Sequence, residues 1–550
     1  MNPRRLLCFA VALAAVLVAI VVIWPRPRPP AASSGGPRAR LPAATSDFPQ
    51  DSAAKKSRPD DSLAARIEAA LSALLRASVR GEARPDEAVL AFADDPALRR
   101  FLAHAAGARL AVTGQIPALR ALRVRFEDPA DLEPALRSAG VDPESLGANF
   151  LVTLPHPPAR EARLPVDQVP FGNGALAFLG AAGDRSTWGR GTTIAVLDTG
   201  VAPDATFGQG RLRSLDLGHG TSPGRAESDG HGTAVAALAA GAALDAPGVA
   251  PAANLLSIRV TDATSTSDLF TLARAIVAAV DSGARIINVS LGGYTTGPVL
   301  DGALAYAAQH GALLVAAAGN DQAARLTWPA ADSRVVSVGA VDRAEQQVSF
   351  SNSSPQLQLS APGYGVHSAW LDGQRVTLDG TSASAPFVAG AIAAVMSQSP
   401  GLTPAQAAAL LARTANDTGP PGADSAFGHG IVNLGTALNA ANPAYVDTAV
   451  ASHHYDPTTG QMQFVVQNRS GRALGGLSLE VLAGQAASTV PIPSLAAGAT
   501  FVAAVPVRPE VLRTAGSLTF TTRLVNPPGT PDARPENNTR TSILAAPERP

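Results

Sequence analysis

Residues able to do chemistry together stand in a few short contexts: Asp198 in VLDTG, histidine in two copies of GHGT (His219 and His231), Asn320 in AAAGN, and Ser382 in DGTSASAP. A serine hydroxyl becomes a useful nucleophile when an imidazole takes its proton, and the imidazole works best when a fixed carboxylate orients its ring. Singly, each residue has a plainer reading: a turn or cap for the Asp, an N-cap for the Ser, a turn for an Asn after Gly.

One histidine suffices for such a site. After His219 the chain reads TSPGRAES, where Pro223 and Gly224 interrupt any helix, so this ring is expected on a loop at the rim of the cleft or idle. After His231 comes TAVAALAAG, a helix of small residues that can pack tightly and hold the ring still. Ser382 likewise leads into a small-residue helix, with Pro386 expected in the first turn, where a missing N–H is harmless. A backbone N–H at such a helix start suits an oxyanion.

The elements that must position these residues change along the chain. Residues 62–79 read as a helix, followed by the order β-α-β-β-α-β from AVLAFA (88–93) to FLVTL (150–154), a small α+β unit. From about 185 to 440, apolar strands at 193–197, 255–260, 286–291, 313–319 and 335–341 alternate with helices at 233–241, 268–282 and 300–310. Continuous apolar strands separated by helices imply a mostly parallel sheet covered on both faces, with its site at the carboxyl ends of the strands. After Pro443 short alternating strands separated by Gly, Pro and Asn turns imply a β-sandwich of immunoglobulin size. The resulting division is a targeting segment 1–30, a flexible linker 31–61, an α+β domain 62–160, a catalytic domain 161–443 and a sandwich 444–550. Asp-Thr-Gly also occurs in aspartic proteases, which need two carboxylates sharing a proton. The second candidate, Asp281-Ser282-Gly283, reads better as a helix stop, and the α/β pattern is wrong for an all-β bilobal enzyme.

The totals narrow the function classes. The 550 residues carry a formal net charge of -1, which gives no reason to expect nucleic acid as a partner. The single cysteine, Cys8, lies in the N-terminal apolar run, so the folded part has no internal disulfide, thiol nucleophile or cysteine-ligated metal. Arg4 and Arg5 precede an unbroken apolar run from Leu6 to Trp24, then PRPRPP. The run exceeds a signal-peptide core of about 7–15 residues and matches a span of about 17–25. Export is expected either way: as a membrane-anchored protein facing the periplasm or exterior, or as a secreted one if the segment is cleaved.

VLDTG, DGHGTAVAALAAG, SLGG, AAAGN and GTSASAP, in this order, resemble the subtilisin-like serine endopeptidases over roughly residues 185–440. Residues 80–157 resemble the inhibitory propeptide that precedes those enzymes. The resemblance implies a three-layer α/β/α domain, protein or peptide substrates, and a zymogen that removes its own propeptide, which acts as intramolecular inhibitor and chaperone. It assigns Ser382 as nucleophile, His231 as base then acid, Asp198 as its orienting carboxylate and Asn320 as oxyanion donor. It places Ser290, Leu291, Gly292 and Gly293 on one wall of the specificity pocket and Ala317, Ala318 and Gly319 on the other, with Thr261–Ser267 pairing with extended substrate. FGHGIVN (427–433) resembles the strand that closes the domain, making His429 structural. Ala383 replaces the Met that commonly follows the nucleophile, and the short loop from Asn320 to Pro329 leaves the pocket floor unassigned. No cofactor is required for the chemistry; structural calcium is a family expectation without named ligands, since Asp204, Asp216, Asp262 and Asp268 are scattered. The sandwich, ending PENNTRTSIL, resembles adhesion-like modules, with binding or a spacer role both open. The other class of function is a catalytically silent surface or adhesion protein that keeps the fold and binds through its sandwich. Asn-x-Ser/Thr triplets at Asn288, Asn352, Asn416, Asn468 and Asn537 are glycosylation sequons by pattern only.

Overall fold

The computed structural model describes residues 21–23, 63–154, 168–218 and 230–546. Its centre is a seven-stranded sheet in the order Leu359–Pro362, Val336–Val341, Leu313–Ala317, Ile286–Val289, Thr193–Asp198, Asn254–Arg259, Leu212–Asp216, parallel throughout. Along Thr193–Asp198, Ile194 and Val196 enter one core while Ala195 and Leu197 enter the other. Both faces are therefore buried, which is why this strand shows no polar alternation. Helices His231–Ala240 and Thr381–Gln398 cover the first face, and Leu269–Asp281 with Pro298–Gln309 cover the second. The strand order reverses between Thr193–Asp198 and Ile286–Val289, so Asp198 sits where the crevice of an open α/β sheet opens.

Seven strands stand where the apolar runs indicate five. Leu212–Asp216 is a largely exposed edge, and Leu359–Pro362 is too short to signal by pattern. Helix Pro404–Arg413 also went unsignalled by hydrophobic pattern, although Thr403 and Gln406 form a capping box at its start. Pro386 requires a correction. The helix begins at Thr381, so Pro386 lies in its second turn, inside the helix, and not in the first.

Residues 63–154 form an antiparallel sheet, Leu146–Thr153, Ala83–Ala91, Ala121–Phe126, Leu110–Ile116, with helices Leu63–Val79, Asp95–Ala105 and Leu132–Ala139 packed on one core. On the other side Val89, Ile116, Ala121 and Val152 share a core with Leu269–Asp281 and Pro298–Gln309. Strand Thr266–Asp268 of the α/β domain joins this sheet at its edge. Toward the C-terminus seven strands form two sheets around Phe464, Phe501 and Phe520. The sandwich is held to the α/β domain by Gln467 Nε2 donating to Ala415 O (2.8 Å), Ser452 Oγ to Gly419 O (2.9 Å) and Arg540 pairing with Glu345 (2.8 Å). Of the N-terminal apolar run only Val21–Ile23 are described, as a strand antiparallel to Val502–Ala504. The rest of the expected targeting segment falls outside the described residues, and among the described ones no helix is long and apolar enough to cross a membrane.

Candidate active site

Asp198 closes the central strand and is fully buried. Its Oδ1 accepts the Thr199 N–H (2.8 Å) and lies 2.8 Å from His231 Nδ1. His231 is the first residue of its helix, and the strand end is stitched to that helix start. Gly232 N–H donates to the Thr199 hydroxyl (3.0 Å), and Ala202 N–H donates to Thr233 Oγ1 (2.9 Å). The approach is so close that a Cβ at Gly232 would lie 2.2 Å from Gly200 O, so DTG and HGT fit only with glycine there. His219 falls outside the described residues.

Ser382 is the second residue of its helix, so its N–H belongs to the first turn, which has no acceptor within the helix. Its carbonyl also lacks the usual partner, because Pro386 has no N–H to offer. Ser290 Oγ fills that role, donating to Ser382 O (3.2 Å) while accepting from Asn288 Nδ2 (2.9 Å). The proline and the serine of SLGG therefore act together to hold the turn. Asn320 Oδ1 accepts two bonds from Thr381, from its N–H (2.9 Å) and its hydroxyl (2.8 Å). This aims Nδ2 the other way, buried and without an acceptor among the described residues. Gly380, at φ 140°, leaves a space between them: a Cβ there would be 2.9 Å from both Asn320 Nδ2 and Ser382 Oγ. Asp198 and His231 are thus in contact, and Ser382 and Asn320 flank one small opening.

Of the expected pocket walls, Leu291 and Ala318 turn their side chains into the core and Ala317 is buried. The glycines meet neighbouring segments through their backbone. Gly292 exchanges N–H and C=O bonds with Thr153 (2.9 and 3.1 Å), and Gly293 does so with Trp328 (3.2 and 2.7 Å). Thr327, in the loop between Asn320 and Pro329, packs against both glycine segments: its Oγ1 would be 2.6 Å from a Cβ on Gly292 and its Cγ2 2.9 Å from one on Gly319. Within the stretch expected to pair with substrate and just beyond it, Thr266–Asp268 pairs antiparallel with Leu151–Thr153 of the same chain.

The four aspartates weighed for calcium do not fit a metal. Asp204 meets Arg375 (3.3 Å), Asp216 meets Arg259 (2.9 Å), and Asp262 and Asp268 share Arg84 (2.9 and 3.3 Å). Among the described residues no three acidic, histidine or cysteine side chains gather as metal ligands. The sequons are likewise structural in four cases, since Asn288, Asn352, Asn416 and Asn468 are buried. Thr199, Thr381 and Asn352 are supporting residues that sequence reasoning missed. The first two sat inside motifs already quoted; for Asn352 the sequon was the sole local signal.

The family profile described as "Subtilase family" matches residues 189–430. The chain is 35% identical over 285 residues to a thermostable alkaline protease of Halalkalibacterium halodurans, spanning 50% of this chain and 76% of that one. It is 33% identical over 261 residues to subtilisin Savinase of Lederbergia lenta, spanning 47% and 94%. Its fold resembles that of fervidolysin from Fervidobacterium pennivorans, with a TM-score of 0.53 and 20% identity over 85% of this chain and 77% of that one. With its parallel sheet, its Asp198–His231 contact and relatives of this kind, the chain belongs to the subtilase family of serine endopeptidases.

Proposed function

We propose that this subtilase is an exported, self-maturing endopeptidase that cleaves peptide bonds through Ser382, His231 and Asp198. The observation that carries the reading is the buried 2.8 Å contact between Asp198 and His231 Nδ1. With Nδ1 donating to the carboxylate, Nε2 is the nitrogen left to take the Ser382 proton and then give it to the leaving amine. Asp198 fixes the tautomer and stabilises the imidazolium. Asn320 Nδ2 and the Ser382 N–H donate to the oxyanion of the tetrahedral intermediate, and water then releases the acyl group by the reverse proton path.

Residues 62–160 act as propeptide to the catalytic domain 161–443, with the sandwich 444–550 appended. In support, the strand end Leu151–Thr153 pairs with Thr266–Asp268, and its Thr153 also bridges Gly292, the manner in which an extended peptide substrate binds. The chain then cuts itself between residues 155 and 185. The apolar run Leu6–Trp24 supports export, by anchor or cleaved signal. Intact-mass and N-terminal analysis of wild type and Ser382→Ala tests this: wild type loses the residues before the cut and the variant keeps them. An identical N-terminus in both refutes self-cleavage. The catalytically silent alternative draws no support from a site in which Asp198, His231, Asn320 and Ser382 are all retained.

A further inference from the structure

Asn352 is fully buried, and its bonds converge on the segment that carries Asn320. Its backbone N–H donates to Gly319 O (3.0 Å). Its Oδ1 accepts from the N–H groups of Asp321 (3.0 Å) and Ala323 (2.9 Å). Its Nδ2 donates to Ala318 O (3.2 Å) and to the Tyr294 hydroxyl (2.9 Å). One residue therefore grips the backbone on both sides of Asn320 without touching Asn320 itself. Flanking residues extend the grip: Gln322 N–H donates to Phe350 O (2.8 Å) and Ser353 N–H to Ala323 O (2.9 Å).

Tyr294 carries the tie across the cleft. It follows Gly293 on the opposite wall, and its hydroxyl donates to Asp321 Oδ2 (2.5 Å) while accepting from Asn352. Burial, together with the Asp321 carboxylate, pushes this phenol up to about 12, so it keeps its proton through the neutral and mildly alkaline range. Arg325 lies over the ring, 4.1 Å from its centroid. The two walls are thus joined by side chains next to the oxyanion donor, and not only by the backbone exchange of Gly293 with Trp328.

From this geometry we infer that Asn352 is a positioning residue for the reaction: it fixes Asn320 in the place where its amide meets the oxyanion and, through Tyr294, sets the separation of the cleft walls. The inference rests on the proposed role of Asn320. Preorganisation of this kind acts on the charge that develops during reaction, so it governs kcat more than substrate affinity.

The test is a double-mutant cycle in the full-length protein, reading kcat and KM on a chromogenic peptide and the inhibition constant of a peptide aldehyde, whose adduct places an oxygen at the oxyanion site. Asn320→Ala is expected to lower kcat about 10²–10³-fold. Asn352→Ala is expected to lower kcat about tenfold or more, with KM within about threefold and aldehyde affinity falling alongside kcat. In the Asn320→Ala background, Asn352→Ala is expected to cost no more than about a further twofold, because residues acting as one unit are not additive. Tyr294→Phe keeps every bond from Asn352 to the backbone and serves if Asn352→Ala does not fold; it should lower kcat about threefold alone and not at all beside Asn320→Ala. Full additivity in either cycle overturns the positioning role, as does a wild-type kcat in both single variants. An unchanged kcat in Asn320→Ala instead removes the oxyanion reading, and this inference with it.

Discussion

Gly380→Ala places one methyl group at the most sensitive point of the proposed site. Gly380 has φ 140° and ψ 159°, a region open essentially to glycine alone, so an alanine there costs about 1–3 kcal/mol in backbone strain. The larger effect is local. The new Cβ would sit 2.9 Å from Asn320 Nδ2 and 2.9 Å from Ser382 Oγ, against an ordinary contact of 3.4–4 Å. Both atoms would have to retreat. Asn320 can do so only by giving up its two bonds to Thr381, and Ser382 only by leaving the turn that Ser290 supports. Loss of one oxyanion donor costs about 3–4 kcal/mol of transition-state stabilisation, or about 10²–10³ in kcat. A displaced nucleophile adds to that, so the expected loss in kcat is about a thousandfold or more, with KM changed far less. Steady-state hydrolysis of a peptide p-nitroanilide measures it, with thermal unfolding run in parallel to confirm a folded protein. A folded Gly380→Ala protein whose kcat stays within a few-fold of wild type would show that the space between Asn320 and Ser382 is not needed for the reaction.

Two other perturbations follow from contacts distant from the nucleophile. Arg84→Ala leaves Asp262 and the buried Asp268 without their shared guanidinium, which should loosen residues 63–154 from the α/β domain by about 1–3 kcal/mol, discounted for partial exposure. The lag between self-cleavage and full proteolytic activity should shorten, and an unchanged lag counts against a docking role for this pair. His453 is held neutral in the sandwich between Ser542 and Thr522 (2.7 Å each), and burial first, then the Arg540 charge, lowers its pKa from 6.5 to about 3. Between those values the unfolded chain binds a proton that the folded one refuses, so stability is complete above pH 6.5 and falls as pH drops toward 3. The loss is about 4–5 kcal/mol at most. Urea unfolding of Ser382→Ala protein from pH 7 to 4 should show this slope, and adding His453→Gln should remove it; equal slopes would show that His453 is not its source.

The sequence carried the residues of the site more clearly than their supports. Asp198, His231, Asn320 and Ser382 sit at or just beyond strand ends and helix starts where glycine and small residues are forced by close backbone approach, as at Gly232 against Gly200, and such constraints leave motifs. The sheet was legible for the same kind of reason, since strands buried on both faces read as continuous apolar runs. The edge strand Leu212–Asp216 was not, because exposed strands carry no such run. Pro386 was misplaced by one turn because nothing local marks Thr381 as the first helical residue. That shift mattered, since the proline's missing N–H explains why Ser290 reaches the Ser382 carbonyl. Asn352 was opaque: its partners at Ala318, Gly319, Asp321, Ala323 and Tyr294 come from two other segments, and only the folded chain brings them together.

The proposed chemistry makes Ser382 a nucleophile activated by His231. A fluorophosphonate probe followed by peptide mapping tests it most directly, because labelling needs a serine whose proton an adjacent base removes. A single label is expected, on Ser382, abolished by His231→Ala and retained in His219→Ala. No label on folded wild-type protein, a label on another serine, or equal labelling of the His231→Ala variant would contradict it.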